Sequence, residues 1–371
     1  MDHSSINQII VDIIAAFVVF GGIDRIFGGR FGLWSKMEEG IRAMGELFVA
    51  MTGFISLSPV LAECLSPVVV PVYEMLGADP AMFAGTLFGI DMGGYPIAMS
   101  MAKTVEAGRF AGTVVSSMLG VTVVFTIPFA LVMVEKKDWF CLAKGILCGV
   151  ITIPIGCLAG GLIARFPLKM ILKNLLPVMI ISALIVVGMA RIPEKMIKGF
   201  AVFGKSMIVI STTGLVAIIV ETLTGVVIIP NMAPLSESVS TVGMIGITLA
   251  GAYPTMRVAT KMLDKPLKRV GRILGINEIA SAGLIVTCAN SIPTFGLIRE
   301  MDDRGKTINF AFMVSGAFAL GDHLGFVAGV DKTMMLPMLG GKFVAAVAAA
   351  VVAWLLTEKT SNDQHDMENI C

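Results

Sequence analysis

Charged side chains are scarce in this sequence: Asp, Glu, Lys and Arg together make up 15% of its 371 residues. Hydrophobic residues make up 56%, and the mean hydropathy is +0.87. Soluble globular proteins carry about 25% charged residues, so this composition excludes a soluble domain. It predicts a protein embedded in a membrane.

Enzyme signatures are missing as well. The sequence contains no P-loop, no G-x-S-x-G, no H-E-x-x-H and no dinucleotide-binding fingerprint, the motifs that accompany nucleotide, hydrolase and zinc chemistry. A membrane phosphotransferase, the enzymatic alternative, would need clustered Asp residues around a metal, whereas the carboxylates here are scattered singly. We therefore predict that the protein is not an enzyme.

Cysteine and histidine are few, with 6 and 3 residues. The cysteines form no C-x-x-C pair, and no His stands at ligand spacing from them, which argues against a disulfide framework and a structural zinc. We expect no metal, no other cofactor and no nucleic-acid partner. Membrane lipid and a small substrate are the expected partners.

About eleven apolar segments are long enough to cross a hydrocarbon core of about 30 Å as helices. They lie roughly at 7–27, 44–62, 80–102, 110–134, 140–164, 170–190, 203–229, 239–256, 273–298, 308–330 and 337–356. The sequence thus predicts an all-α, polytopic membrane protein of about 10–11 transmembrane helices. A single transporter domain would cover 1–357, and 358–371 would form a short, polar and disordered tail.

Two stretches about 198 residues apart read alike, and each interrupts an apolar segment with polar, kinked sequence. They begin at Leu76-Gly77-Ala78-Asp79 and Leu274-Gly275-Ile276-Asn277, and both reach a polar break that ends in proline. The breaks are Gly89-Ile90-Asp91-Met92-Gly93-Gly94-Tyr95-Pro96 and Thr287-Cys288-Ala289-Asn290-Ser291-Ile292-Pro293. Paired, interrupted helices indicate a transporter's central site, and a membrane scaffold, the other alternative, has no use for them. We predict two broken helices in repeat halves at roughly 36–165 and 234–356.

The positions of Lys and Arg predict how the repeats are oriented. Basic residues crowd the connection Arg257–Arg272, which should be cytoplasmic, whereas the equivalent stretch 63–80 has none and should be external. Equivalent loops on opposite sides predict inverted repeats. Six predicted segments separate the loops, however, and inversion needs an odd number. Segment 170–190, flanked by basic residues, is the candidate for one that does not cross; a parallel repeat is the alternative.

Asp91 is the strongest candidate for a substrate-binding residue, because a charge near the bilayer centre costs at least a few kcal/mol unless it is paired or hydrated. Gly93, Gly94 and Pro96 follow it directly and deny the helix its regular hydrogen bonds. The freed carbonyls, the Asp91 carboxylate and the face of Tyr95 can hold an ammonium group. The alternative is a structural Asp that caps the broken helix or pairs across the bundle.

Further candidates lie in other segments. Asn290 and Ser291 occupy the matching break, where they can bind substrate or join helices. Glu221 is placed mid-span in a hydroxyl-rich helix, as a substrate or proton-relay carboxylate or as an interhelical hydrogen-bond partner. Asp322 and His323 can form a proton-coupling pair, because His changes its charge near physiological pH; a structural His is the alternative.

The chain resembles a known family at five runs of residues. They are 88–98, 103–112, 249–254, 288–293 and 321–326. These runs are similar to the ethanolamine permeases of bacterial ethanolamine-utilisation systems, and the likeness extends over essentially the whole chain. The resemblance implies a multi-pass protein of the cytoplasmic membrane that imports ethanolamine for breakdown by a cytosolic ammonia-lyase. It brings no established binding residues with it.

A positively charged substrate also fits the residues, because the apolar segments contain Asp and Glu at mid-depth. Without the resemblance, the prediction stops at a carrier for a small polar or cationic solute, such as an amino acid or a nucleoside. Facilitated and proton-coupled transport both stay open, as does the oligomeric state.

Overall fold

The computed structural model describes the backbone of residues 3–368 and, within them, the side chains other than those of 3–5, 193–194, 263–265, 267–268 and 358–368. Regular structure in this part of the chain is helical throughout, which confirms the all-α prediction. The predicted polar tail at 358–371 falls on residues whose side chains lie outside this description, and it stays a prediction.

The α-helices follow one another along the chain with short connections. They are α1 (His3–Ile26), α2 (Leu33–Met75), α3 (Ala81–Leu87), α4 (Tyr95–Met101), α5 (Val105–Arg109), α6 (Ile127–Met133), α7 (Trp139–Ile163), α8 (Leu168–Arg191), α9 (Pro193–Thr224), α10 (Leu235–Leu274), α11 (Glu278–Ala289), α12 (Ser291–Leu297), α13 (Asp303–Gly316), α14 (Asp322–Val330) and α15 (Met335–Glu368). Three π-helical segments lie at Ile90–Gly94, Phe110–Gly120 and Thr122–Thr126, and 3-10 turns at Lys136–Asp138, Ile298–Glu300 and Lys332–Met334.

Eight helical stretches within the described residues are long and apolar enough to cross a membrane. They are Ile6–Ile26, Leu33–Met75, Val105–Met133, Lys136–Ile163, Leu168–Arg191, Lys195–Thr224, Leu235–Met262 and Lys332–Thr357. This confirms a polytopic membrane protein. We infer a further crossing at 303–330, where α13 and α14 are separated by a non-helical turn at 317–321.

The first broken segment enters the protein and returns to the same side. The backbone N–H of Lys103, just after α4, donates to the carboxylate of Asp79, just before α3, with 3.1 Å from nitrogen to Oδ2. The segment's two ends therefore lie side by side. Its arms are short: α3 has 7 residues, a length of about 10 Å. We call residues 79–103 hairpin 1.

The second broken segment has the same form. The backbone N–H of Asn277, before α11, donates to Oδ1 of Asp302, after α12, at 2.9 Å. The two arms are also joined within the protein, where Thr287 and Thr294 share a hydroxyl hydrogen bond of 2.9 Å. We call residues 277–302 hairpin 2.

These hairpins change the number of crossings. About 10–11 were predicted, because a hydropathy pattern counts a re-entrant hairpin as a span. With hairpin 1 returning, five crossings instead of six separate 63–80 from Arg257–Arg272. Segment 170–190 was the predicted non-crossing one, but α8 is a continuous apolar helix of 24 residues, long enough to cross. We therefore infer that hairpin 1 is the segment that does not cross.

Equivalent helices of the two halves pack in opposite directions. In α2 and α10, a Cβ on Gly40 would lie 2.5 Å from the carbonyl oxygen of Leu249, whereas Ser56 approaches Ser238 with 3.4 Å between hydroxyl oxygens. Residue numbers thus rise along α2 as they fall along α10.

The equivalent pair α7 and α15 is antiparallel as well. Thr152 donates a hydrogen bond to the carbonyl of Ala345 at 3.1 Å, and further along α7 a Cβ on Gly160 would lie 2.9 Å from the carbonyl oxygen of Pro337. With an odd number of crossings between the halves, we propose that 36–165 and 234–356 form inverted repeats.

One end of the bundle carries most of the described basic residues. The end of α10 meets the start of α2 there, since Arg257 donates to the carbonyl of Phe31 at 3.2 Å. The end of α6 meets the start of α13 there too, through Lys306 and Asp138 at 2.8 Å. We name this end the cytoplasmic end, following the positive-inside rule. Its basic residues include Arg25, Arg30, Lys36, Arg42, Lys136, Lys137, Arg257, Lys261, Arg269, Arg272, Arg299 and Lys306.

Candidate functional site

The tip of hairpin 1 is a turn that only glycine allows. Gly93 has a φ of 91°, in the region that L-residues rarely adopt. A Cβ on Gly94 would lie 2.7 Å from the carbonyl oxygens of both Phe88 and Gly89. The chain can therefore reverse tightly at this point, and the reversal leaves Asp91 at the inner tip.

Asp91 is half-buried, and its Oδ1 is buried without a hydrogen-bond partner among the described residues. Buried polar atoms are nearly always hydrogen-bonded, because an unmet one costs free energy. A carboxylate oxygen left in this way is suited to a ligand that brings its own donor. An ammonium group is such a ligand.

The tip of hairpin 2 carries neutral polar groups. Asn290 has extended backbone (φ −155°, ψ 127°) and caps α12, with its Oδ1 accepting from the N–H of Ile292 at 2.8 Å. The side-chain oxygen of Asn290, which was predicted to accept from the substrate, therefore already accepts a hydrogen bond within hairpin 2. Its amide NH₂ is the group that can still bind a substrate. Ser291 is fully buried, and its hydroxyl has no partner among the described residues.

The turn between α13 and α14 supports this second tip. The N–H of Phe318 donates to the carbonyl of Thr287 at 3.1 Å, and the N–H of Leu320 donates to that of Cys288 at 2.8 Å. Non-helical backbone at membrane depth needs such partners. The turn also places Asp322 and His323 at the start of α14, facing the protein interior.

Asp322 and His323 lie in different surroundings. Asp322 accepts a hydrogen bond from the Tyr253 hydroxyl at 3.0 Å, and it interacts electrostatically with Asp91. His323 is fully buried, and neither ring nitrogen has a partner among the described residues. The segment Ile90–Gly94 packs against α14, so the tertiary structure brings Asp322 and Asp91 to one site, although they are 231 residues apart in the sequence.

A functional candidate that the sequence analysis missed is Lys342 of α15. Its side chain is fully buried, and Nζ donates to the carbonyl oxygen of Ser117 at 2.6 Å. That carbonyl is free because the N–H of Val121 bonds to residues 116 and 118 in the π-helical segment instead. Lys342 interacts electrostatically with Asp91 and His323.

We call Asp91, Asp322, His323 and Lys342 the central cluster. A signal for Lys342 was present in the sequence, since it is a lysine within the apolar segment 337–356. The residues predicted from the sequence as charged site residues were carboxylates and a histidine, and this lysine was not among them.

Tyr95 follows the tip of hairpin 1 and faces the external end of the bundle. Its ring packs edge-to-face on Phe326, with 5.9 Å between centroids. Its hydroxyl is close to the ion pair of Arg109 and Asp331, whose nitrogen and oxygen are 2.8 Å apart. The ion pair joins the end of α5 to the end of α14, on the side of the molecule where hairpin 1 begins and ends.

Glu221 lies elsewhere in the protein. It is in the last turn of α9, where its carbonyl accepts from the N–H of Gly225 at 2.8 Å. Gly225 has a φ of 73° and ends the helix, whereas the apolar residues 226–229 continue the hydropathy pattern. This is why the sequence placed Glu221 at mid-span. No described contact joins it to the central cluster.

Two adjoining cavities open toward the cytoplasmic end. Their volumes are about 520 and 460 Å³, and both are lined by Glu39, Tyr253 and Asn290. Arg257 and Lys261 line the larger one. Tyr253 of this lining is hydrogen-bonded to Asp322, so the cavities reach a residue that contacts the central cluster. Their size is that of ordinary small-molecule sites.

The fold and the site define a class: a multi-pass helical membrane protein with two interrupted helical segments and buried charges beside their tips, features that occur in secondary transporters. The chain matches the model of the family described as ethanolamine utilisation protein EutH over residues 6–356. It belongs to that family.

Curated relatives match nearly the whole chain. It is 53% identical over 348 residues to a probable ethanolamine permease EutH of Listeria monocytogenes, covering 94% of this chain and 93% of the relative. It is 46% identical to the uncharacterized protein YxeR of Bacillus subtilis, covering 97% and 98% of the two chains. It is 44% identical to a probable ethanolamine permease EutH of Salmonella typhimurium, covering 95% and 96%. No solved structure matches the chain.

Proposed function

We propose that the protein imports ethanolamine, in its ammonium form, across the bacterial cytoplasmic membrane. The observation that carries the proposal is the buried Oδ1 of Asp91, which lacks a partner among the described residues at the tip of a re-entrant hairpin. The names of the Listeria and Salmonella relatives support ethanolamine as the substrate.

The ammonium group would bind between Asp91 and Asp322. The two ionised carboxylates repel each other. A cation placed between them screens this repulsion and forms two favourable interactions of its own. The substrate hydroxyl would lie toward hairpin 2, where Asn290 lines both cavities and Ser291 offers an unpaired hydroxyl.

Alternating access would follow from the two hairpins. The cavities open to the cytoplasmic end, while Tyr95 packs on Phe326 and Arg109 pairs with Asp331 toward the external end. We infer an inward-open state. Exchange of roles between inverted repeats would produce the outward-open one.

Asp91→Asn tests the site. Losing one partner of a buried charge pair costs about 2–5 kcal/mol, so binding of labelled ethanolamine to purified protein should weaken at least about 30-fold. Glu221→Gln is the matched control and should bind as the parent does. If Asp91→Asn binds ethanolamine normally, its carboxylate is structural and the site lies elsewhere.

Competition distinguishes the alternative substrates. Ethanolamine should displace the labelled substrate at far lower concentration than an amino acid or a nucleoside does, because neither brings a net positive charge to the two carboxylates. Stronger displacement by either solute would favour a carrier for another small polar compound.

Proton coupling by Asp322 and His323 stays a prediction, with a structural His323 as its alternative. If the pair couples protons, an imposed pH gradient should drive ethanolamine uptake into proteoliposomes, and His323→Gln should abolish that dependence while leaving exchange intact. A structural His predicts that both activities fall together. Equal accumulation by the parent with and without the gradient would remove the coupling hypothesis.

A further inference from the structure

Two lysines are buried within the described part of the membrane domain, and they are held in different ways. Lys306 lies between two carboxylates, at 2.8 Å from Asp138 and 2.9 Å from Asp303. Lys342 is 0% exposed, and the partner within hydrogen-bond distance of its Nζ is the carbonyl of Ser117.

A buried ammonium is normally paired with an acid. The titratable groups that act on Lys342 are the Cys288 thiol and the Asp91 carboxyl of the substrate site. Geometry places Asp91 near the carbonyl that holds Lys342: a Cβ on Gly89 would lie 3.1 Å from Oδ1 of Asp91 and 3.5 Å from Cα of Val121, which is one helical turn after Ser117.

Lys342 therefore contributes to the charge of the substrate site without blocking its carboxylates. Its ammonium is hydrogen-bonded to backbone, so Oδ1 of Asp91 stays without a partner among the described residues. If both carboxylates are ionised, Lys342 is protonated and His323 is neutral, the central cluster carries one negative charge; this charge state is part of the inference, and the competitor test below checks it. A single substrate ammonium neutralises that charge.

We propose that Lys342 is a specificity-determining residue: a fixed ammonium that sets the charge of the central cluster so that the site accepts a monocation and rejects a dication. The inference rests on the proposed function, because it assigns the charge selectivity of the same ethanolamine site. The fixed ammonium of Lys342 neutralises one carboxylate charge, so no negative charge is left for a second positive charge of the substrate.

The physical basis is the cost of burying an uncompensated charge. A charge without a partner at membrane depth costs several kcal/mol, so the best substrate is the one that brings the site to neutrality. A diamine with two ammonium groups would leave an excess positive charge beside Lys342. Without Lys342 the two carboxylates would match such a diamine.

The test compares two competitors of equal chain length, 3-aminopropan-1-ol and 1,3-diaminopropane. The first is a monocation at neutral pH and the second a dication, and they differ by one hydroxyl replaced by an amine. Each is titrated against labelled ethanolamine bound to purified protein, and the ratio of their half-inhibitory concentrations is the readout. A purely structural change in affinity would move both concentrations and leave the ratio unchanged.

In the parent, the monocation should compete better than the dication. In Lys342→Met the ratio should shift toward the diamine by about tenfold or more, as expected for close charge pairs. Lys342→Arg keeps the charge and should keep the parent's preference. Lys169→Met, which removes an exposed lysine of α8, should leave the ratio unchanged.

The double variant Asp91→Asn/Lys342→Met removes one charge of each sign and should recover the parent's preference for the monocation. Because Asp91→Asn weakens ethanolamine binding, the preference of this variant is measured by calorimetric titration with each of the two amines instead of by competition. An unchanged ratio in Lys342→Met, or a double variant that still favours the diamine, would overturn the inference. If Lys342→Met yields no folded protein, the double variant decides. A folded, monocation-selective double variant supports the charge-setting role, and failure of both to fold assigns Lys342 a structural role instead.

Failure of the proposed function has a different signature. A parent protein that does not bind labelled ethanolamine contradicts ethanolamine transport itself. A parent that binds ethanolamine, with a competitor ratio that Lys342→Met leaves unchanged, contradicts the role of Lys342 alone.

Discussion

Hairpin 1 and hairpin 2 share a backbone design and differ in the chemistry of their tips. Both begin and end at neighbouring residues, through Asp79 with Lys103 and through Asn277 with Asp302. The tip of hairpin 1 carries a carboxylate, whereas Asn290 and Ser291 at the other tip are neutral. The comparison teaches that the two interrupted segments share a backbone form, and under the proposed function their tips divide the binding of the substrate's charge from that of its hydroxyl.

The surroundings of the hairpins differ as well. Hairpin 1 is covered toward the external end, whereas hairpin 2 borders cavities that open to the cytoplasmic end. At the base of hairpin 2, Arg299 pairs with Glu135 at 2.9 Å. The hydrogen bond from Lys137 and the charge of Arg299 lower the pKa of Glu135 below its ordinary value. This surface pair therefore persists at neutral pH.

The largest expected effect concerns the side to which each hairpin returns. Lys103→Cys and Arg299→Cys replace residues at the two bases, with 52% and 66% of the side chain exposed. In a background without other reactive cysteines, Lys103→Cys should react with a membrane-impermeant maleimide from outside, and Arg299→Cys only from inside. Reaction of both from one side would show that the repeats are parallel.

The next largest effect compares the stability that two ion pairs between the halves of the protein contribute. Lys306 and Asp138 are 9% and 4% exposed, so Lys306→Gln leaves a buried carboxylate unpaired and should destabilise the protein by about 3–5 kcal/mol. Arg109 is 38% exposed and its partner Asp331 7%. Arg109→Gln should nevertheless cost less, because Asp331 keeps hydrogen bonds from the N–H and the hydroxyl of Thr333, at 3.1 and 2.6 Å. Thermal unfolding in detergent measures both. A larger loss in Arg109→Gln would mean that the external pair holds the halves together.

The smallest effects come from glycines of the two hairpins, and they have opposite signs. Gly93→Ala places a Cβ at a φ of 91° and 3.0 Å from the Phe54 ring, which should cost at least about 1–2 kcal/mol. Gly296→Ala in α12 meets nothing within 4 Å and should stabilise the helix by about 0.5–1 kcal/mol. Equal melting temperatures for the two variants would argue against the turn at Gly93.

Much of the site could be predicted because its signals are local. Asp91 stands beside Gly93 and Gly94, and the break that they cause follows from the conformational freedom of glycine. Asp322 and His323 are polar residues in an apolar segment. Their positions alone made all three candidates, and the structure brings Asp322 to Asp91 through the turn at 317–321.

Glu221 and Lys342 show where local signals end. Apolar residues after Gly225 made Glu221 look central, but a positive φ at that glycine ends α9. Lys342 is visible as a lysine in an apolar segment, but its partner Ser117 is 225 residues away, so its place beside Asp91 could not be predicted. Neither a helix end within an apolar run nor a distant carbonyl partner is visible in hydropathy.

The sequence by itself determined the membrane class, the helical secondary structure and the paired breaks, because apolar length and glycine and proline act within a few residues of themselves. Only the tertiary structure decided that the broken segments turn back, since hydrocarbon-facing sequence has the same composition whether it crosses or returns. The decision depends on hydrogen bonds such as that between Asp79 and Lys103, which form only when distant parts of the chain meet. The same holds for the cluster of Asp91, Asp322, His323 and Lys342, whose charges stabilise or oppose one another only at the short distances that folding creates.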